Sequence, residues 1–483
     1  MKKNKEDLQN LNQCFRENGY KIVDWLAEYM SEVEKYPVKS KVKPGEIYRK
    51  ISEKPPQKGE TLDAIFEDFK KTIIPGITHW QHPSYFAYFP ANSSVPSLLA
   101  EFLTAGLGVN AMLWETSPSA TELEERVMEW LRDMLGLPKE FVGVIQDTAS
   151  TSSLCALLCA REKVTNFKIN EKGFSNDKKL RIYISDQAHS SIEKGAKIAG
   201  YGKENVVLVE SDDEFRMIPS KLEIEIRKDK DNGYIPTCVV ATVGTTSSTS
   251  IDPVRSIGEI CKKYKIWLHV DSAHAGSAAI LPEKRNILDG LEFADSFVFN
   301  PHKWLLTNFD CSAFYVRDPQ ILKSTFEIHP EYLKTKQDYE VKNFRDWGIQ
   351  LGRRFRALKL WFVIRNYGVI GLEKIIRRHI ELAQKFGKWV DESENFERLA
   401  PITVNLVCFR FNPNKNNGKN DEKKLEELNS KLLEELNSSG KLYLTHTKLK
   451  GKYCLRISIG QTNTELKHVE QAWKLINLAS KDF

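Results

Sequence analysis

Seven short apolar runs, spaced by helix-length stretches between about residues 140 and 316, constrain this 483-residue chain more than any other feature. They read VGVIQ from Val142, RIYIS from Arg181, NVVLV from Asn205, TCVVATV from Thr237, IWLHVD from Ile266, SFVFN from Ser296 and SAFYV from Ser312. Runs that are apolar throughout, rather than at alternate positions, belong to strands buried on both faces, and helix-length connections suit parallel crossovers. The expected fold is therefore α/β, a seven-stranded, mostly parallel sheet with helices on both faces. Ligands bind such sheets at the carboxyl ends of the strands. The residues that close each run are the first candidates for chemistry.

The flanking regions differ. Residues 1–85 carry amphipathic helical pattern from Phe15 to Val33 and from Leu62 to Ile74, broken by proline-bearing stretches at Tyr36–Pro44 and Pro55–Gly59. Two helices joined by an extended strap bury too little alone, so this segment is expected to lie on the rest of the chain or on a partner subunit. Residues 86–355 would form the large sheet domain. After a loop at about 323–346, a helix beginning at Leu351 (LGRRFRALKLWFVIRNYG) leads into a smaller α+β domain, 356–483, with VNLVCFRF, KLYLTH and YCLRISIG as strands and Asn412–Lys424 as a polar surface loop.

Composition excludes several classes. Lys and Arg number 71 against 65 Asp and Glu, and they are scattered, which argues against nucleic-acid or membrane-surface binding. The eight cysteines include no CxxC pair and no His/Cys cluster at metal-ligand spacing, so reduced thiols and no metal are expected. There is no apolar leader and no run of about 18 apolar residues, which points to a cytoplasmic protein.

Five strand ends carry reactive side chains. Phe297-Val-Phe-Asn-Pro-His-Lys-Trp304 ends an apolar strand in a lysine between histidine and tryptophan, and desolvation there would lower the pKa of the Lys303 amine for Schiff-base formation. Ile266-Trp-Leu-His-Val-Asp271 closes another strand with a carboxylate, the group that keeps a pyridine nitrogen protonated. After VGVIQ, Asp147-Thr-Ala-Ser-Thr-Ser opens a helix whose free N–H groups and hydroxyls make an anion site. Asp147 would repel an anion there, so its side chain is expected to turn away. Ile182-Tyr-Ile-Ser-Asp-Gln-Ala-His189 puts an imidazole at a helix start, and Ala241-Thr-Val-Gly-Thr-Thr246 ends a strand in small and hydroxyl residues. Each alone has an ordinary structural explanation: a surface lysine, a helix cap or a core histidine. Together they describe a site for pyridoxal phosphate.

These segments, in this order, resemble the pyridoxal-phosphate-dependent group II amino-acid decarboxylases, and within them the aromatic-L-amino-acid decarboxylases. The resemblance extends through His79-Trp80, Tyr85-Phe-Ala-Tyr-Phe-Pro90, Trp114 with Ser117-Pro118, Thr121-Glu-Leu-Glu124, Leu351-Gly-Arg-Arg-Phe-Arg356 and RISIGQTNTELKHVEQAW near the end. It implies a fold-type-I homodimer with the active site at the subunit interface and an N-terminal segment wrapping the partner. It also implies that Lys303 carries the cofactor, Asp271 pairs with its ring nitrogen, His189 stacks on the ring and Ala273 packs on the other face. Thr148, Ala149 and Ser150 would contact the phosphate, and Thr246, Asn300 and His302 complete the shell. Tyr332 matches the mobile-loop tyrosine that protonates the carbanion. Relatives with phenylalanine there release an aldehyde, so the tyrosine argues for simple decarboxylation. Trp80, Tyr88, Phe89, Pro90 and the partner's Met112 would line the substrate side-chain pocket, His189 could also approach the substrate carboxylate, and His302 would be a further substrate contact. Gly352 matches a glycine in relatives handling indoles or catechols, favouring tryptophan, 5-hydroxytryptophan or dopa over tyrosine, phenylalanine or histidine.

The chain departs from animal relatives at Asp147 (glycine there), Ala91 (threonine), His274 (tyrosine) and Met112 (phenylalanine). Three other readings compete: an aminotransferase gripping a substrate carboxylate with Arg456, an aromatic aldehyde synthase, and an inactive scaffold, against which every expected catalytic position is filled.

Overall fold

The computed structural model describes residues 2–174, 179–328, 340–415 and 421–482, with side chains from residue 11 onward. All seven apolar runs are strands: β1 Val142–Gln146, β2 Leu180–Ser185, β3 Val206–Val209, β4 Ile235–Thr242, β5 Trp267–Asp271, β6 Ser296–Phe299 and β7 Ser312–Val316. They form one sheet in the order β1-β7-β6-β5-β4-β2-β3. Pairs β2–β3, β2–β4, β4–β5 and β5–β6 are parallel, while β7 runs antiparallel to both β6 and β1. β1 therefore points the same way as β2–β6, and one reversed strand sits inside the sheet. The link from β6 to β7 explains the reversal: it holds a single four-residue helical turn, Pro301–Trp304, and no crossover helix.

Both faces are covered, which is why the strand sequences lack alternation. On one face the helices Pro118–Leu135, Val254–Tyr264 and Ala357–Glu392 pack Val127, Met128, Ile257 and Leu360 against Leu268, Val270 and Phe297. On the other, Ala149–Thr165 and Ser190–Ile198 pack Leu154, Leu157 and Ile192 against Ile182, Val240 and Val298.

A second, antiparallel sheet in the order β10-β11-β9-β8 comprises β8 Phe396–Arg398, β9 Leu406–Phe411, β10 Thr445–Leu449 and β11 Lys452–Ser458. Helices Glu422–Ser438 and Leu466–Ala479 back it. The strand expected at KLYLTH starts later, at Thr445. A two-residue hairpin turn at Lys450-Gly451, with φ of 47° and 80°, sets its register from the far end.

Two further sequence expectations need correction. The loop expected from about 323 begins only after the helix Pro319–Phe326. The helix expected from Leu351 begins at Ala357. Residues 351–356 stay non-helical because buried Arg353 is held by better partners: it donates to Glu124 at 2.7 Å and to the carbonyls of Ile145 at 2.8 Å and Ala111 at 3.3 Å. The helix that follows bends at Gly368, whose φ of 64° suits glycine.

The N-terminal segment contains the helices Lys2–Glu32 and Leu62–Asp68. Phe15, Ile22, Val23 and Leu26 of the first face Leu99 and Phe102 of the helix Val95–Leu107 across a groove of about 500 Å³ with an almost wholly apolar lining.

Candidate active site

Because β1, β2, β4, β5 and β6 point the same way, their carboxyl ends meet at one edge of the sheet, around a cavity of about 250 Å³. Its wall is made by Thr148, Ala149 and Ser150 after β1, His189 and Ser191 after β2, Thr242, Gly244 and Thr246 at the end of β4, Asp271, Ala273 and His274 after β5, and Asn300, His302, Lys303 and Phe309 after β6, with Phe89 crossing from the N-terminal side. The five strand ends singled out in the sequence are thus brought together.

Lys303 sits in the turn Pro301–Trp304, where its N–H donates to the Asn300 carbonyl at 2.9 Å. The Asn300 N–H in turn donates to the Ala273 carbonyl at 3.0 Å, tying the lysine turn to the loop that follows Asp271. Among the described residues the ammonium has no hydrogen bond and no ion pair; its Nζ lies 5.6 Å from the centroid of the Phe89 ring. Burial pulls its pKa below the ordinary lysine value, opposed by the negative charge of Asp271. Lys303 is partly buried; Asp271 is buried and accepts the Ala273 N–H at 3.0 Å.

The helix Ala149–Thr165 presents its start to the same cavity. The N–H groups of Ala149, Ser150 and Thr151 have no acceptor among the described residues, leaving an anion cradle at the positive end of the helix dipole. Asp147 does not turn fully away: its Oδ1 accepts the Thr148 N–H at 2.5 Å and lies 3.2 Å from the Thr148 hydroxyl, while its Oδ2 accepts from Gln350 Nε2 at 3.1 Å.

His189 stands at the mouth, with its Nδ1 accepting the Ser191 N–H at 3.2 Å and lying 2.7 Å from the Ser191 hydroxyl. This puts its proton on Nε2, and burial holds its pKa below the ordinary value, against the opposing charge of Asp271. His302 Nδ1 accepts the Cys311 N–H at 2.9 Å, so its proton is also on Nε2, and burial depresses its pKa to about 3. His274, the departure noted in the sequence, stacks between Phe89 at 3.9 Å and Trp304 at 5.0 Å and lies 2.8 Å from Asn405 Oδ1.

Arg456 donates to the carbonyls of Thr246 at 2.6 Å and Ser247 at 3.1 Å and to the Thr445 hydroxyl at 3.0 Å. It is a brace between the small sheet and the β4 loop. With Nε and both terminal nitrogens engaged, it is no open clamp for a substrate carboxylate, which removes the main support for an aminotransferase.

Several expected substrate residues are not in this cavity. Of Trp80, Tyr88, Phe89 and Pro90, only Phe89 lines it. Trp80, itself partly exposed, stacks on buried Tyr85 at 4.5 Å and on exposed Tyr88 at 6.1 Å, and Pro90 is buried. Met112 and Gly352 lie elsewhere, both beside Asn110. Tyr332 falls outside the described residues. Sequence reasoning missed Ser191, Thr242, Gly244 and Phe309. Ser191, two residues after His189 at a helix start, and Gly244, inside the quoted strand end, carried usable signals. Gly244 has a φ of 90°, and a Cβ there would meet that of Ala275 at 2.4 Å. Phe309 carried no signal.

The residues present fit pyridoxal phosphate. A partly buried, unpaired amine suits its aldehyde, a buried carboxylate its ring nitrogen, and free helix N–H groups its phosphate. Asn300 Oδ1 and Thr242 Oγ1 are buried without a partner among the described residues, polar atoms that a protein-only wall leaves unsatisfied.

Comparison with known proteins agrees. Residues 44–412 match the pyridoxal-dependent decarboxylase conserved domain. The chain is 46% identical over 472 residues to tyrosine decarboxylase 3 of Petroselinum crispum, covering 96% of this chain and 91% of that protein. It is 46% identical over 475 residues to phenylacetaldehyde synthase of Arabidopsis thaliana, covering 96% and 95%. The crystal structure of Oryza sativa TDC with PLP and tryptamine superposes with a TM-score of 0.93 at 36% identity, over 97% of each chain. The chain therefore belongs to the pyridoxal-dependent decarboxylases, as a PLP-dependent carboxy-lyase of the branch that acts on aromatic amino acids.

Proposed function

We propose that this enzyme converts an aromatic L-amino acid to its amine and carbon dioxide, with tryptophan, 5-hydroxytryptophan or dopa preferred over tyrosine, phenylalanine or histidine, and with Lys303 carrying PLP as a Schiff base. The observation that carries the reading is the partly buried Lys303 amine, unpaired among the described residues and lining one cavity with the Asp271 carboxylate and the start of the helix whose Ala149–Thr151 N–H groups are free. When bound, PLP supplies an electron sink for the pair released as the carboxylate bond breaks.

The side chains then divide the work. Desolvation keeps the Lys303 amine ready to lose its proton. Asp271 holds a proton at the ring nitrogen, and Ala149 and Ser150 bind the phosphate beside Thr148. His189 and Ala273 bracket the ring, and Thr246, Asn300 and His302 close the shell. His189 and His302, each with a proton on Nε2, orient the substrate carboxylate. Tyr332 delivers a proton to the substrate carbon, and its identity as tyrosine supports amine formation over the aldehyde chemistry named for the Arabidopsis relative.

For the substrate side chain, Trp80, Tyr88, Phe89 and Pro90 supply an aromatic wall, completed by Met112 of the partner subunit. Gly352 supports a bicyclic or catechol ring: a Cβ there would meet only the Asn110 side chain, at 3.7 and 3.9 Å, so this chain's own packing does not demand glycine and the space serves whatever faces it. The name of the Petroselinum crispum relative makes tyrosine the main rival. The division into 1–85, 86–355 and 356–483 accompanies a homodimer in which a second copy covers the apolar groove of Phe15, Ile22, Leu26, Leu99 and Phe102. The eight unpaired thiols support a reducing, cytoplasmic setting.

The test is a product assay on PLP-loaded protein offered each aromatic amino acid separately, quantifying amine, carbon dioxide, aldehyde and peroxide. Equal amine and carbon dioxide from an indole or catechol is the expected result. Aldehyde with peroxide would move the enzyme to the oxidative branch, and turnover of tyrosine alone would overturn the reading of Gly352.

A further inference from the structure

The phosphate cradle contains a feature that works against its ligand. Three N–H groups at the start of the helix Ala149–Thr165 are free, but the next donor, the Thr148 N–H, is taken by the Asp147 carboxylate at 2.5 Å, and the Thr148 hydroxyl lies 3.2 Å from the same oxygen. Among the described residues the only Lys or Arg lining the cavity is Lys303, whose amine would be taken up by the aldehyde rather than by the phosphate. A phosphate seated here therefore shares one helix terminus with a fixed carboxylate and meets no other Lys or Arg in the described lining.

Asp147 also does something for the fold. Its Oδ2 accepts from Gln350 at 3.1 Å, and the preceding Gln146 donates through Nε2 to the Trp347 carbonyl at 2.9 Å. Two consecutive residues at the end of β1 thus clasp residues 347–350, the stretch that leads to Gly352 and buried Arg353. A glycine at 147 would leave Gln146 as the only member of that pair with a side chain.

We propose that Asp147 is a resident anion that weakens this enzyme's hold on the phosphate of its cofactor, in exchange for fixing the 347–350 segment against the cradle. The cofactor is then more readily exchanged than in the same chain with a neutral residue at this position. The inference rests on the reading above that the phosphate sits at the start of the helix Ala149–Thr165.

The experiment is a set of PLP titrations and cofactor-release measurements on the full chain. Asp147→Asn removes the charge and keeps an acceptor for the Thr148 N–H; the PLP dissociation constant should fall about three- to tenfold and release should slow in proportion, the scale of a single charge near a helix terminus. Asp147→Gly should tighten binding at least as much, because it also returns the Thr148 N–H to the phosphate. Gln350→Ala opens the clasp without touching the charge and should not tighten binding. Ser150→Glu places a second carboxylate in the cradle and should weaken PLP binding more than tenfold. If Asp147→Asn leaves affinity unchanged or lower while Ser150→Glu abolishes it, the inference fails and the seat of the phosphate stands. If Ser150→Glu has no effect, the phosphate sits elsewhere and the reading itself fails. Equal tightening by Gln350→Ala and Asp147→Asn would show that segment mobility, not charge, sets the affinity.

Discussion

The cavity and the aromatic rim outside it are built on opposite terms. Around Lys303, almost every group is buried or tied by hydrogen bonds to the ends of parallel strands, and a single chain assembles it. At the rim, Trp80 is 38% exposed and Tyr88 52%, while Met112 and Gly352 lie together on another part of the surface. Strand ends place side chains through a rigid scaffold, so reactive groups from five separate segments can be set around one point. A rim of exposed aromatics has no such frame within one chain. The groups that fit the cofactor are thus gathered where those expected to read the substrate ring are not, which is the pattern expected if a second copy contributes to substrate choice.

That contrast can be broken most severely at its centre. Lys303→Ala should abolish the covalent linkage to PLP and lower turnover on the order of 10³-fold or more, read as loss of the visible absorbance of the linked cofactor and of a borohydride-fixed adduct by mass spectrometry. An adduct that survives would place the linkage on another lysine.

Next in size is Arg353→Ala, at the junction of the two regions. It leaves Glu124 buried with only the Ile145 N–H at 2.8 Å in place of its 2.7 Å ion pair. Stability should fall by about 3–5 kcal/mol in denaturant unfolding. A loss under 1 kcal/mol would mean the 351–356 segment is not locked to the sheet.

A third effect sharpens the comparison through pH. Burial holds His269 near a pKa of about 4 and His274, His302 and His379 near about 3. These histidines are neutral when folded and protonate near 6.5 when unfolded, so between those values the unfolded chain binds more protons. Stability should therefore be full above about pH 6.5 and fall steadily below it. Two of the four, His274 and His302, line the cavity, and His302→Gln should reduce the slope of unfolding free energy against pH. An unchanged slope would show that His302 titrates alike in both states.

The smallest expected effect is at the rim. Gly352→Ser should change the ratio of kcat/KM for tryptophan to that for tyrosine about tenfold in favour of tyrosine, with total stability unaffected. A ratio that does not move would detach Gly352 from substrate selection.

Legibility in the sequence followed the same division. The strands were readable because burial on both faces writes itself as continuous apolar residues, and the strand-end groups Asp271, His189 and Lys303 stood out because polar residues stop those runs abruptly. Leu351–Arg356 was misread as helix because its residues have good helical propensity, while the deciding partners of Arg353, Glu124 and the carbonyls of Ala111 and Ile145, are more than 200 residues away. Phe309 could not be found, since an exposed aromatic in a loop has no pattern. Asp147 was recognised as an obstacle, but not as a clasp on Gln350.

The sequence by itself determined the sheet and the chemistry that its strand ends can support, because these depend on local periodicity and on which residues interrupt it. Tertiary structure alone decided that β7 runs backwards between β6 and β1, that Arg456 is a brace rather than a clamp, and that the Thr148 N–H already has an acceptor. Each of those depends on distances between residues far apart in the chain, and hydrogen bonds are short enough that only the folded arrangement says which ones form.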